Sequence, residues 1–174
     1  MASVETTRAR RETWAWWGVA AGALGLVANL IADDQGGLSE QERRAGAAVV
    51  AELERTTQHL GVAAGLLAVA CLLLAAAGWR RWAVGSGDLG ALSIGTALTV
   101  SSAALLVAYG FRGGLAEYLP GGINEDNFPP EGLYVLFMIN DTAPWFGWWG
   151  VIFAAALCAW WRSPCGCSRS GSAR

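Results

Sequence analysis

The chain has 174 residues and a net charge of −2, which excludes the basic surface that nucleic-acid binding needs. Hydrophobic residues make up 54% and charged residues 15%, against about 25% charged in a soluble domain, so the balance tips towards lipid. All 12 basic residues are Arg and there is one histidine, His59, which excludes a lysine Schiff base, a P-loop, paired-His haem ligation and the two-His zinc helix.

Residues 1–13 form a polar tail holding Arg8, Arg10 and Arg11. An uncharged apolar stretch follows at 14–32, and three more lie at 60–79, 89–109 and 142–161. Crossing about 30 Å of hydrocarbon takes about 20 mainly apolar residues as a helix. The expected fold is therefore all-α: a polytopic membrane protein with four transmembrane helices in an up-down bundle. The first stretch has the basic start of a signal peptide, but it is long for one and no clean cleavage site follows. The Arg10–Arg11 pair makes a poor twin-arginine signal for the same reason.

The loop at 33–59 is expected to be an additional helical segment. Ser39-Glu40-Gln41-Glu42 has the form of a capping box. Ala48, Val49, Leu53 and Leu60 then recur at helical spacing. The segment either lies on the membrane surface or forms a solvated hairpin arm.

After the second stretch, Gly85-Ser86-Gly87-Asp88-Leu89-Gly90 matches a dinucleotide fingerprint. That fingerprint must follow a strand, and here a membrane helix is expected. Asp88 reads better as the cap of the next helix. Ser93, Thr96, Thr99, Ser101 and Ser102 make the third stretch the most polar, which predicts that it is the most enclosed by protein.

The loop at 110–141 is dense in turn residues, with Gly113-Gly114, Pro120-Gly121-Gly122 and Pro129-Pro130. It reads as a packed cap or a mobile lid. Asn124-Glu125-Asp126-Asn127 lacks the ligand spacing of a calcium loop and reads as solvated charge. Residues 162–174 form a second tail with Cys165-Gly166-Cys167. Cys71 and Cys158 lie in spans, and no cysteine falls in 33–59 or 110–141. That argues against a quinone-coupled thiol oxidase. The layout resembles small multidrug transporters in helix number only, since the first span carries no glutamate.

Arginine sets the orientation. Arg8, Arg10, Arg11, Arg80, Arg81, Arg162, Arg169 and Arg174 fall on one side, and Arg43, Arg44, Arg55 and Arg112 on the other. The richer side is expected to be cytoplasmic, which puts both termini in the cytoplasm of a multi-pass protein of the cell membrane. The Arg-rich, Lys-free composition fits a GC-rich genome and hence a bacterial inner membrane. Trp14, Trp16, Trp17, Trp79, Trp82, Trp160 and Trp161 gather at the cytoplasmic helix ends as an aromatic belt would.

At the outer ends each span offers polar residues at a similar depth: Asn29, Asp33 and Asp34; Gln58 and His59; Tyr109 and Arg112; Asn140 and Asp141. An up-down bundle would bring them together. Pro144 leaves the carbonyl of Asn140 without its helical donor. An apolar run precedes Asp141, so a helix beginning in that run would place Asp141 inside the membrane, where an acid implies function. Asp141, Trp145, Trp148 and Ile152 share one helical face. A carboxylate beside aromatic rings suits an organic cation or an amphiphile headgroup. The plain alternative is an aromatic belt above ordinary polar helix ends.

Three functions follow. Small residues at four-residue spacing (Gly18 and Gly22, Ala21 and Gly25, Gly61 and Gly65, Ala91 and Gly95) favour close helix packing. With no catalytic set in view, the leading expectation is a non-catalytic subunit or scaffold, with the lipid bilayer and a homo-oligomeric or membrane-protein partner. The second is a binder or transporter of a small amphiphilic or cationic molecule through Asp141, Asn140, Trp145, Trp148, Arg112 and Tyr109. The third is an enzyme using Asp33, His59 and Asp141 as metal ligands or as acid and base. No cofactor is required, although a metal or a quinone or lipid fits the second and third readings.

Overall fold

A computed structural model describes residues 2–31, 50, 53–85 and 89–162. They are helical with no strand among them: α1 (Ala2–Leu26) continues into a π-helical turn (Val27–Ile31), followed by α2 (Arg55–Val84), α3 (Leu89–Tyr118), a 3-10 turn (Glu125–Asn127) and α4 (Pro130–Arg162). Most of the expected outer helical segment at 33–59 and the Asp88 cap lie outside the described residues, as do Cys165 and Cys167; the last residues of that segment, Arg55 to His59, belong to α2.

The helices run longer than the apolar stretches that nucleate them. α3 continues to Tyr118, and α4 begins at Pro130, not at Thr142. Pro130 occupies the first helical position, where its missing N–H costs nothing and its fixed φ suits a helix. What read as a loop at 110–141 is therefore mostly helix, with a short connection between Tyr118 and Pro130. Asp141 consequently lies three turns inside α4. A helix, not a strand, precedes Gly85, which removes the context a dinucleotide fingerprint needs.

The connection is a packed cap. Gly121 adopts a φ of 80°, which only glycine takes without strain. Its N–H donates to Glu125 Oε2 at 2.9 Å, and its carbonyl accepts from Arg55 Nη1 at 2.6 Å. Arg55 thus ties the start of α2 to the cap. Beneath it, Val50, Leu53, Leu115, Leu119 and Phe137 form a buried apolar cluster.

Neighbouring helices are antiparallel, as their contacts show. A Cβ at Gly78 of α2 would overlap Trp14 of α1, and one at Gly65 would overlap the ring of Tyr109 from α3. Gly147 and Gly150 of α4 are covered by Leu105 and Ser101 of α3. Each glycine is a seat for a large or polar side chain from the next helix. Small residues thus let the backbones approach while the neighbour's side chain fills the gap. α1 and α4 differ, for their backbones hardly approach one another.

Two sequence expectations change. α2, not α3, is the more enclosed of the two central helices. The α3 hydroxyls explain why: Ser93, Thr96, Thr99 and Ser102 each donate to the carbonyl four residues back, at 2.8–3.1 Å. A hydroxyl satisfied by its own helix has no need of a protein neighbour. Trp79 is no belt residue either. It is buried, donates from Nε1 to the Ala91 carbonyl at 2.6 Å, and stacks edge-on with Trp14 at 5.5 Å. Trp16, Trp17 and Trp160 do face outwards.

α2 and α3 are long and apolar enough to cross a membrane. Exposed apolar side chains cover every helix, among them Val19 and Leu30 on α1, Leu67 and Leu74 on α2, Val100 and Val107 on α3, and Phe146 and Phe153 on α4.

The glycine seats predict opposite outcomes for two alanine substitutions. Gly65→Ala should destabilise the fold by about 1–3 kcal/mol, because the buried Tyr109 ring cannot yield. Gly22→Ala, where the added carbon meets nothing within 4 Å, should be neutral or slightly stabilising. Denaturant unfolding in detergent micelles, followed by circular dichroism, would compare the two.

Candidate functional site

Four of the polar residues expected to converge, Asn29, Gln58, Tyr109 and Arg112, lie in two layers. The outer layer centres on Arg112 of α3, which is only 5% exposed. Its Nε donates to Gln58 Oε1 of α2 at 2.9 Å, and its Nη1 donates to the carbonyl of Ala28 in the π-helical turn of α1. Ala28 lies in the π-helical turn that follows α1. The guanidinium lies flat over Gly61, where any side chain would overlap it. One side chain thereby joins three helices.

The inner layer lies one turn deeper. Tyr109 Oη accepts from Asn29 Nδ2 at 2.8 Å and from Trp148 Nε1 at 3.1 Å. Asn29 Nδ2 also donates to the Gly25 carbonyl at 2.7 Å. This three-residue node links α1, α3 and α4. Tyr109 is wholly buried, while Asn29 and Trp148 are half-buried in front of it.

In front of the node a groove opens sideways between α1 and α4. It has a volume of about 360 Å³ and is lined by Gly22, Gly25, Leu26, Asn29, Leu30, Trp145, Trp148 and Ile152. The groove exists because α1 and α4 meet through a side chain, the Trp148 ring over Gly25, and not through close backbone packing. Gly22 has nothing opposite it, so its absent side chain is part of the open volume.

The individual sequence expectations fall as follows. Trp145, Trp148 and Ile152 share a face and line the groove. Asp141 continues that stripe one turn further out but does not line the groove; it is half-buried and has a partner of its own. Tyr109 and Arg112 are buried and act through neighbours. Asn140 is 7% exposed, and its Oδ1 has no hydrogen-bond partner. It lies on the α3-facing side of α4, one turn from Phe137 and from Pro144. His59 points outwards, away from Gln58, its buried neighbour in sequence. Asp33 lies outside the described residues, and among the described residues no three His, Cys, Asp or Glu side chains cluster as metal ligands would. Sequence reasoning missed the groove itself. One wall of it is built from Gly22 and Gly25, which read only as packing residues, and from Leu26 and Leu30, which the sequence did not single out.

No protein-family model matches the chain, and neither a curated protein nor a solved structure shows significant similarity to it.

The outer layer predicts the behaviour of Arg112 variants. Arg112→Met leaves the Gln58 side chain and the Ala28 carbonyl without their donor, at a cost of about 1–3 kcal/mol for each acceptor. Arg112→Lys keeps the charge but cannot span both acceptors with a rigid fork, so it should restore only part of the loss. Unfolding midpoints of the three proteins in one detergent would establish the order wild type, Lys, Met.

Proposed function

We propose that this chain is a four-pass membrane protein, with both termini in the cytoplasm, that holds one membrane-soluble amphiphile in the groove between α1 and α4. The carrying observation is the groove: apolar, open to the side, and backed by the Asn29–Tyr109–Trp148 node. A site that opens through a bundle wall in the hydrocarbon layer admits molecules that travel in the bilayer. Mostly apolar lining with one convergent polar group is the usual form of a small-molecule site.

Several features support the four-pass reading. α1 and α4 carry outward-facing Trp, Phe, Val and Leu along their lengths, as α2 and α3 do. In water, so much contiguous apolar surface would drive association; in a bilayer it is the required exterior. The skew of arginine towards the ends that carry residues 8–11, 80–81 and 162–174 supports the orientation.

The scaffold reading rests on small-residue faces left free for a partner. Gly25, Gly61, Gly65 and Gly95 are instead covered by Trp148, Arg112, Tyr109 and the Trp79–Arg80 pair of this same chain. Only Gly22 of the paired glycines looks into open space, and it looks into the groove. That is why amphiphile binding is preferred here to assembly. In this reading the protein binds its ligand without transforming it.

Two outcomes are expected. A reporter fused after Arg174 should show a cytoplasmic signature in cells, and so should one inserted before Trp14; a periplasmic signature at either end would overturn the topology. Native mass spectrometry of protein released from its own membranes should show a discrete bound mass of lipid size. Gly22→Leu fills the groove without touching the core, so it should keep the wild-type unfolding midpoint and lose that mass. Retention of the mass by Gly22→Leu would move the ligand elsewhere, and a bare wild-type monomer would end the amphiphile reading.

A further inference from the structure

The polar chemistry of the groove specifies its occupant more narrowly. Two residues of the groove lining carry a polar atom that no hydrogen bond commits, Asn29 and Trp145. The amide orientation of Asn29 is settled by its neighbours: the Gly25 carbonyl is purely an acceptor, so the atom facing it at 2.7 Å must be Nδ2 and not Oδ1. Nδ2 also serves Tyr109 Oη, so both of its hydrogens are used. The indole N–H of Trp148 is used as well, on the same hydroxyl. What remains is the Trp145 indole N–H, a donor, and Asn29 Oδ1, an acceptor that no described residue satisfies. Among the described residues the enclosed atoms without partners are Arg55 Nε and Asn140 Oδ1, so Asn29 Oδ1 is not fully enclosed, and Asn29 lines the groove.

We infer that the groove selects an amphiphile carrying a hydroxyl group, whose O–H donates to Asn29 Oδ1 while its hydrocarbon chain lies along Gly22, Leu26, Trp145 and Ile152. This rests on the amphiphile reading above and names the chemistry of the ligand. An acceptor facing hydrocarbon with no donor is costly. A ligand O–H removes that cost, whereas a ketone, ester or ether oxygen would face Oδ1 lone pair to lone pair. Tyr109 does not offer the opposite preference, because it is wholly buried behind Asn29 and Trp148. The Trp145 N–H donates to an alcohol, ketone or ether oxygen alike, so the donor that Asn29 Oδ1 requires still separates them. An aliphatic alcohol and a phenolic quinol share the required donor; an oxidised quinone lacks it.

The test uses the full chain in detergent and three probes of similar length: 1-hexadecanol, 2-heptadecanone and hexadecyl methyl ether. Bound fractions come from native mass spectrometry. Wild type should prefer the alcohol to the other two by about five- to tenfold, the worth of one net hydrogen bond. Asn29→Leu should bind all three alike. That variant also strips Gly25 and Tyr109 of a donor, so if it fails to fold, the wild-type preference decides alone. Equal binding of the three probes by wild type, abolished in each case by Gly22→Leu, would overturn the hydroxyl preference and leave the groove standing. Binding that Gly22→Leu does not affect would overturn the groove reading and the hydroxyl preference with it. The accurate mass of the natural occupant then separates an aliphatic alcohol from a quinol.

Discussion

A guanidinium taken out of water must find acceptors for its donors, and Arg112 finds them on two other helices. That requirement organises the far end of the bundle. It dictates Gly61, because only a bare backbone leaves room for the planar group to lie against α2. It dictates Gln58, whose side-chain oxygen accepts from Arg112 Nε. It also holds the π-helical turn of α1 against α2 and α3 through the Ala28 carbonyl. The same turn carries Asn29, so the placement of Arg112 and the presentation of Asn29 to the groove are linked. π-Helical turns are rare and frequently fall at functional sites.

The rest of the bundle packs by a repeated device, a large side chain over a neighbour's glycine. Trp14 on Gly78, Tyr109 on Gly65 and Leu105 on Gly147 each join adjacent helices. The device stabilises by dispersion contact at close range. Between α1 and α4 it is used once, by Trp148 on Gly25, and Gly22 one turn away receives nothing. One seat filled and the next left empty makes a closed wall into a wall with an opening. The groove is therefore a consequence of where the chain omits a contact, and its floor is a hydrogen-bonded node that keeps α1, α3 and α4 in register behind it.

The all-helical character, the positions of the apolar stretches and the level at which polar residues gather were determined by the sequence alone, because each follows from local chemistry. Apolar runs without charge make helices that need no outside hydrogen-bond partner, and antiparallel order then brings Gln58, Tyr109 and Arg112 to one end. The tertiary structure alone decided which of these side chains touch. Sequence spacing placed Asp141 at the centre of the candidate site, yet Asn29, in the π-helical turn that follows α1, lines the groove. Trp79 read as an interfacial anchor and became core because Ala91 offered a carbonyl and Trp14 a ring, both distant in sequence. Gly22 and Gly25 are indistinguishable as letters. One is filled and the other empty because Trp148 arrives from α4 at only one of them, and an arrival from another helix is a property of packing that no local pattern encodes.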